Sequence, residues 1–147
     1  MTGDRELLAA AIGLSRCCPP SATAYSVGAL VVAADGTELA RGHSRETAPD
    51  RHAEEVALAR LAAAGGSAAG GTVYSSLEPC ASRRSRPVPC ADLILAAGVR
   101  RVVFALREPP LLAAGGGAAR LAAAGVEVVQ LAELAGAVRA VNRHLLR

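Results

Sequence analysis

Hydrophobic positions along the chain fall into short apolar runs, typical of strands, and longer stretches in which apolar residues recur every three or four positions, as on one face of a helix. Five of the short runs predict strands, over residues 26–33, 38–42, 72–77, 101–106 and 126–129. The helix-spaced stretches predict helices over residues 6–15, 51–64, 89–97, 118–124 and 132–146.

Turn-forming residues separate these elements. Pro19-Pro20 follows the first helix, and Asp35-Gly36 stands between the first two strands, a sequence typical of a tight β-hairpin. Because strands and helices alternate after this hairpin, the chain is predicted to be an α/β protein, a three-layer α/β/α sandwich. Its five-stranded mixed sheet is expected to be antiparallel in the first hairpin and mostly parallel in the remainder. At 147 residues, the chain is expected to form a single domain, 1–147.

Composition narrows the classes of function. The formal net charge is only +3, so a nucleic-acid partner is not indicated, and all sixteen basic residues are arginine, which excludes a lysine nucleophile. No apolar stretch reaches the ~20 residues of a membrane span, and no basic leader precedes an apolar run. We therefore expect no membrane partner and a cytoplasmic location. There, the four cysteines indicate metal binding or catalysis before disulfides.

Three potential zinc ligands stand at the borders of predicted elements. His52 lies near the start of the second helix, Cys80 follows a proline beyond the third strand, and Cys90 follows a proline where the next helix begins. One imidazole and two thiolates leave the fourth position of a tetrahedral Zn²⁺ open for water. Glu54, two residues after His52, suits a proton carrier beside that water. This His-x-Glu, Pro-Cys and Cys pattern is that of zinc nucleobase deaminases, although the usual spacing between the cysteines is two residues.

A structural zinc site is the second interpretation of these ligands. Structural sites normally close with a fourth protein ligand. Cys17 or Cys18 could in principle supply it, but their spacing gives no support. Adjacent cysteines point in different directions, and small buried residues are the favoured interpretation for this pair.

Taken together, the motifs resemble the cytidine-deaminase-like superfamily, and most closely the deaminase half of the bifunctional riboflavin-biosynthesis deaminase–reductase. The resemblance extends over most of the chain from Ser26 onward. The matching segments are Val27-Gly28-Ala29, Gly42-His43, His52-Ala53-Glu54, Leu77-Glu78-Pro79-Cys80, Pro89-Cys90-Ala91-Asp92, Ala97-Gly98-Val99 and residues 121–128.

The resemblance implies a zinc-dependent hydrolase that replaces an exocyclic amine on a pyrimidine-type ring with a carbonyl and releases ammonia. The implied substrate is an aminopyrimidine ribonucleotide of the riboflavin-pathway type, or a related nucleoside or nucleotide. His52, Cys80 and Cys90 would hold Zn²⁺. Glu54 would carry protons from the water to a ring nitrogen and then to the leaving amine.

The resemblance also suggests residues that bind the substrate. His43 and Arg86 occupy the positions that hold the ribose-phosphate, with Arg83 close by in sequence. A solvated loop face is the alternative for the arginines and is preferred for Arg84. Three residues, Ser26, Gly28 and Ala29, would approach the base, mainly through their backbone. Because superfamily members commonly oligomerise, a homodimer or homotetramer is expected.

The chain departs from that subgroup at four places, one of which is the run from His43 to His52, longer here by two residues. The subgroup typically has Pro-Asn-Pro before Val-Gly, with the Asn contacting the pyrimidine, where this chain has Thr-Ala-Tyr-Ser at residues 23–26. Nine residues, 81–89, separate the two cysteines, and the Ser-His of the subgroup is missing. The chain ends at Arg147, where the bifunctional enzymes continue into a reductase domain, so reductase activity is expected to be absent.

These departures leave other functions open. A cytidine, deoxycytidylate or free-base deaminase acting on cytosine or guanine is the alternative. A nucleic-acid-editing deaminase is disfavoured by the small net charge and by the shortage of aromatic residues for stacking bases, which are Tyr25, Tyr74 and Phe104. A catalytically silent zinc-fold partner is the third hypothesis.

Overall fold

The computed structural model describes residues 3–81, 88–108 and 116–145. Within these ranges, a five-stranded sheet carries helices on both faces, and the predicted α/β/α sandwich is confirmed. The strands are β1 (Gly28–Val32), β2 (Glu38–His43), β3 (Thr72–Leu77), β4 (Arg101–Leu106) and β5 (Glu127–Gln130). The helices are α1 (Asp4–Ser15), α2 (Ala53–Ala63), α3 (Cys90–Ala96), α4 (Gly117–Ala123) and α5 (Ala135–Val141).

The sheet has the predicted mixed pairing. Its strand order is β2-β1-β3-β4-β5, with β3, β4 and β5 parallel to one another. Among the described strands, β1 alone runs in the opposite direction, and it is antiparallel to both β2 and β3. The carboxyl ends of β2, β3 and β4 therefore share one edge of the sheet with the amino end of β1.

The hairpin between β1 and β2 forms at the predicted Asp-Gly turn. Gly36 has a φ of 94°, a left-handed conformation that residues with a side chain adopt rarely. The Thr37 N–H donates to Asp35 Oδ1 at 2.9 Å, which closes the turn from within. Asp35 and Gly36 were therefore sufficient to predict this turn, because its conformation depends on the residues within it.

Two apolar clusters cover the two faces of the sheet. On one face, α1 and α5 bury Leu8, Ile12 and Val138 against β1, β3 and β4. On the other face, α2, α3 and α4 contribute Leu61, Ile94 and Leu121. All five residues of β1 are buried, as a strand covered on both sides requires.

Gly28 lets α1 lie directly on the start of β1. A Cβ atom there would lie 1.9 Å from the carbonyl oxygen of Ala11 and 2.8 Å from Cβ of Leu14. Neither the helix backbone nor the strand can move away without losing its own pairing. The glycine therefore brings α1 close to the sheet edge that carries the site described below.

The last helix is shorter than predicted. Instead of one helix over 132–146, a 3₁₀ turn (Ala132–Leu134) leads into α5, which stops at Val141. Asn142, fully buried, is the C-cap residue of α5, and its side chain contacts Ser26. Asn142 Oδ1 accepts the Ser26 N–H at 2.7 Å, and Nδ2 donates to the Ser26 carbonyl at 3.1 Å. The C-terminal helix is thereby fastened to the segment that enters β1.

A polar cluster fastens α1 to the sheet. Asp4, in the first turn of α1, accepts hydrogen bonds from Tyr74 Oη at 2.6 Å and from both terminal nitrogens of Arg101. Arg101 also contacts Glu127 at 3.1 Å. The Arg101 hydrogen bond lowers the pKa of Asp4. Burial, followed by the hydrogen bond to Asp4, raises the pKa of Tyr74 to about 12.

Replacing Asp4→Asn is expected to lower the free energy of unfolding at pH 7 by about 1–3 kcal/mol, since the hydrogen bonds to a charged acceptor are lost. The matched control is Glu133→Gln, whose ion pair with Arg5 is exposed and whose loss should cost under about 0.5 kcal/mol. Urea unfolding measures both. Because the folded-state pKa of Asp4 lies below its ordinary value of 3.8, its contribution is present above that pH and is lost as the pH falls further. Equal losses in the two variants would contradict this role.

Candidate metal centre

His52 stands immediately before α2, as its N-cap residue with an extended backbone. Its N–H donates to Glu55 Oε1 at 3.3 Å, and Glu55 is in turn 3.4 Å from the Arg51 guanidinium. Glu55 therefore holds the backbone of His52 at the helix start. The predicted helix, which starts at residue 51, is two residues too long at this end, since α2 starts at Ala53.

Cys80 and Cys90 meet although nine residues separate them. Cys80 follows the end of β3 and is 3% exposed, and Cys90 is the first residue of α3 and is fully buried. The Cys90 N–H donates to Cys80 Sγ at 3.3 Å, and the Ala91 N–H donates to the Cys80 carbonyl at 3.0 Å. These contacts join the two ends of the loop, so its extra length does not separate the thiols.

The imidazole and the two thiols converge with spacings that suit zinc. His52 Nδ1 lies 3.7 Å from Cys80 Sγ and 3.4 Å from Cys90 Sγ, and all three ligand atoms lie within 4.8 Å of one another. In a tetrahedral zinc site, with the usual bond lengths, a nitrogen and a sulfur ligand stand about 3.5 Å apart. In the described part of the chain this is the group able to hold a metal, and it offers three protein ligands. Three ligands are typical of a catalytic zinc site.

The Cys80 side chain is prepared to bind a metal at neutral pH. The hydrogen bond with Cys90, assisted by contacts with His52, lowers the pKa of Cys80 to about 4, against the opposing effect of burial. A thiol must lose its proton to ligate zinc. The protein therefore holds Cys80 in the form that a metal requires.

Glu54 lies beside the three ligands and is itself buried, with 4% exposure. Burial raises the pKa of its carboxyl group, and a hydrogen bond with Cys90 acts in the opposite direction. The position at the N-terminal end of α2 favours its ionised form. A carboxyl group with a raised pKa next to a metal position can both accept and return a proton.

The carboxylate of Glu78, two residues before Cys80, connects this turn to two other segments of the chain, a role that the sequence did not predict. Its buried carboxylate accepts the N–H of Glu108 at 3.0 Å and that of Ala118 at 2.9 Å. Gly117 makes room for this arrangement, since a Cβ atom there would lie 1.6 Å from the Pro79 carbonyl oxygen. The turn that carries Cys80 is thereby tied to the start of α4.

The predicted substrate-binding residues that the structure describes lie along the same edge of the sheet. Gly28 is paired with His43 across β1 and β2, and Ala29 follows one position further in. The Gly28 N–H donates to Ser76 Oγ at 3.1 Å, so this donor is already used. Ser26 is held by Asn142 through its backbone. Arg83 and Arg86 lie outside the described residues.

The remaining cysteines take no part in this centre. Cys17 is exposed, and the Cys18 thiol donates to the Val27 carbonyl at 3.5 Å. Neither belongs to the group of potential metal ligands among the described residues, so neither supplies the fourth ligand of a structural site. In the described ranges, no helix has the length and apolarity needed to cross a bilayer.

Comparison with known families gives one match that covers most of the chain. The family described as "Cytidine and deoxycytidylate deaminase zinc-binding region" matches residues 1–106, which include the three potential ligands and Glu54. This agrees with the predicted zinc cofactor and with the predicted class of enzyme.

Individual relatives include a pyrimidine deaminase and a riboflavin biosynthesis protein. The chain is 34% identical over 127 residues to diaminohydroxyphosphoribosylamino-pyrimidine deaminase of Schizosaccharomyces pombe, covering 85% of this chain and 31% of the relative. It is 43% identical over 103 residues to the riboflavin biosynthesis protein RibD of Escherichia coli, covering 70% and 26%. The chain thus spans less than a third of the length of these relatives.

A solved structure agrees with these sequence matches. The Thermotoga maritima diaminohydroxyphosphoribosylaminopyrimidine deaminase/5-amino-6-(5-phosphoribosylamino)uracil reductase superposes with a TM-score of 0.76 and 28% identity. The match covers 94% of this chain and 38% of that chain. The predicted resemblance and the predicted fold are both confirmed.

Replacing Cys80→Ser is expected to remove bound zinc, because a hydroxyl keeps its proton where the thiol is held as a thiolate. Cys17→Ser is the matched control: the residue is exposed and outside the centre, so this variant should keep one zinc per chain. The zinc content of both variants is compared after dialysis by atomic emission. Retention of zinc by the Cys80 variant would exclude Cys80 as a ligand.

Proposed function

Because the chain belongs to the cytidine and deoxycytidylate deaminase family, we propose that it is a zinc-dependent deaminase acting on an aminopyrimidine ribonucleotide of the riboflavin-pathway type. The observation that carries the proposal is the buried Glu54 carboxyl group beside three converging potential ligands. The substrate follows from the names of the fission-yeast, bacterial and Thermotoga proteins that the chain resembles. Deoxycytidylate, which the family description includes, is the alternative substrate.

His52, Cys80 and Cys90 would hold the zinc ion. When bound, zinc lowers the pKa of water to about 7 and makes a nucleophile available at neutral pH. Glu54 would take one proton of the attacking water and deliver it to the ring nitrogen next to the reacting carbon. It would then take the second proton, from the hydroxyl now on that carbon, and pass it to the amine, so that the carbonyl forms as ammonia leaves. Burial of Glu54 and both cysteines keeps bulk water from competing for these protons.

We further propose how the substrate lies. The base would rest on the backbone of Ser26, Gly28 and Ala29, at the sheet edge. The ribose-phosphate would extend toward His43 and toward the loop between the two cysteines, where Arg83 and Arg86 offer charge. The pairing of Gly28 with His43 at the edge that leads to Cys80 supports this orientation.

We also propose that residues 1–147 act as a single deaminase domain, that the protein is cytoplasmic, and that it assembles as a homodimer or homotetramer. The four cysteines are free, which agrees with a reducing compartment. Light scattering on the zinc-loaded protein measures the number of subunits. A monomer at micromolar concentration would contradict the proposed assembly.

An ammonia-release screen tests the proposed substrate class. We expect the zinc-loaded protein to release ammonia fastest from diaminohydroxyphosphoribosylaminopyrimidine, when compared with deoxycytidylate, cytidine, cytosine and guanine. Treatment with a chelator should abolish the release, and added zinc should restore it. A faster rate with deoxycytidylate would indicate that deoxycytidylate, the alternative, is the substrate. No release from any compound would exclude a deaminase of this class.

Glu54→Gln is expected to retain zinc and to lose turnover by at least about 10²–10⁴-fold, since the amide keeps the size of the side chain but cannot accept the proton. Glu38→Gln, at an exposed ion pair with Arg41, is the matched control and should keep full activity. Because burial raises the pKa of Glu54, the activity of the unmodified protein should fall with decreasing pH already above the ordinary value of 4.5. Below the folded-state pKa, Glu54 carries its proton and cannot take another. Substantial activity in the Gln variant would remove Glu54 from this role.

A further inference from the structure

The segment between α1 and β1 has no regular structure of its own. Residues 16–27 form neither helix nor strand, and residues 21–27 contain no proline that would fix a φ angle. The proposed function nevertheless places the base against Ser26 and Gly28, where this segment ends and β1 begins. A segment of this kind keeps a single conformation only if other parts of the chain bind its backbone.

The side chain of Arg45, in the loop between β2 and α2, binds this segment at three points. One terminal nitrogen donates to the Tyr25 carbonyl at 3.0 Å. The other donates to the Pro19 carbonyl at 2.6 Å and to Ser26 Oγ at 3.1 Å. A guanidinium group can hold several acceptors at once, because its N–H donors point in fixed directions within one plane. Arg45 thus connects the two ends of residues 19–26.

The backbone of Arg45 connects the same residue to the metal centre. Its φ of 58° is left-handed, and among the described residues other than glycine it is the one with a positive φ. Its N–H donates to the Arg51 carbonyl at 2.8 Å, and Arg51 directly precedes His52. Such backbone conformations are unfavourable for a residue with a side chain and concentrate at functional sites. The segment before β1 is therefore anchored to the loop that ends at a metal ligand.

Two other side chains bind only the last residues of the segment. Ser44 Oγ accepts the Val27 N–H at 3.0 Å, and the Ser44 N–H donates to the Val27 carbonyl at 2.9 Å. Asn142 binds both backbone groups of Ser26. Neither contact reaches Tyr25 or the residues before it. The conformation of residues 19–25 depends on Arg45 to a degree that Ser44 and Asn142 cannot replace.

We propose that Arg45 is a positioning residue, which holds the segment before β1 in its binding conformation before the substrate arrives. This inference rests on the proposed deaminase function. Without the guanidinium group, substrate binding would have to order residues 19–26, and the apparent affinity would fall by the fraction of molecules that are already ordered. Once bound, the base would rest as it does in the parent protein. The loss should therefore appear in KM and leave kcat nearly unchanged.

The kinetic test uses Arg45→Asn in the full-length, zinc-loaded protein. Asparagine tolerates a left-handed backbone, but its side chain is too short to reach the three acceptors. We expect KM for diaminohydroxyphosphoribosylaminopyrimidine to rise at least about tenfold, with kcat within about threefold of the parent value. The zinc content should stay at one ion per chain, because the N–H of residue 45 can still bind the Arg51 carbonyl.

Hydrogen exchange measures the ordering of the segment directly. Without substrate, the backbone amides of residues 21–27 should exchange at least about tenfold faster in Arg45→Asn than in the parent protein. The amides of β3 and β4 should keep their protection. A saturating amount of substrate should remove the difference, since the bound base orders the segment in both proteins. A purely structural role would instead accelerate exchange throughout the sheet, with or without substrate.

Two further variants serve as controls. In Arg45→Lys, a compact ammonium group can replace some of the three contacts, so KM should rise less than in Arg45→Asn. Arg41→Asn is the same substitution at a neighbouring arginine, whose side chain is paired with Glu38 at the surface. This variant should retain the kinetic constants and the exchange rates of the parent protein.

The positioning role of Arg45 would be overturned by a KM within threefold of the parent value in Arg45→Asn, by a fall in kcat at unchanged KM, or by loss of zinc. Unchanged exchange of residues 21–27 would overturn it as well. If the unmodified protein bound the compound without releasing ammonia, the proposed function would be wrong. Dissociation constants measured by calorimetry, together with the exchange rates, would then still decide the role of Arg45.

Discussion

The hydrogen bond from the Cys90 N–H to Cys80 Sγ is the interaction on which the metal centre depends. It joins the turn after β3 to the first residue of α3 and holds one sulfur where the other begins its helix. A hydrogen bond with the Cys90 side chain, followed by contacts with His52 and by this backbone N–H, lowers the pKa of Cys80 and favours its thiolate. Geometry and protonation state are thus set by one local arrangement, and His52 completes it from the start of α2.

This centre concentrates groups that are unfavourable in a protein interior. Glu54, Glu78 and two cysteines are almost fully buried at one edge of the sheet. The sheet behind them is apolar on both faces, with β1 buried throughout and Phe104 and Leu30 fully enclosed. The opposite end of the sheet carries the polar cluster of Asp4, where every charge has a partner. The stabilising polar cluster and the potential metal ligands therefore lie at opposite ends of the strands of this sheet.

Local sequence patterns predicted most of the fold and the core of the site. The period of apolar residues gave five strands, the Asp-Gly pair gave the hairpin, and the His-x-Glu and Pro-Cys motifs gave the potential ligands. These patterns could not predict contacts between polar residues that are far apart in sequence. Asn142 binds Ser26 across 116 positions, and the Glu78 carboxylate binds the N–H groups of Glu108 and Ala118. A hydrogen bond of this kind has no periodicity along the chain, so only the folded arrangement reveals it.

The loop after Cys80 is anchored at both ends, and this determines which positions near the thiols can change. Backbone contacts from Cys90 and Ala91 secure both ends, so residues between them can be lengthened, shortened or exchanged while the ion-binding thiols keep their places. Position 117 has no such freedom, since any side chain there would strike the Pro79 carbonyl. Replacement of Gly117 would therefore displace the turn that carries Cys80, whereas changes between the two cysteines leave the contacts that join the thiols in place.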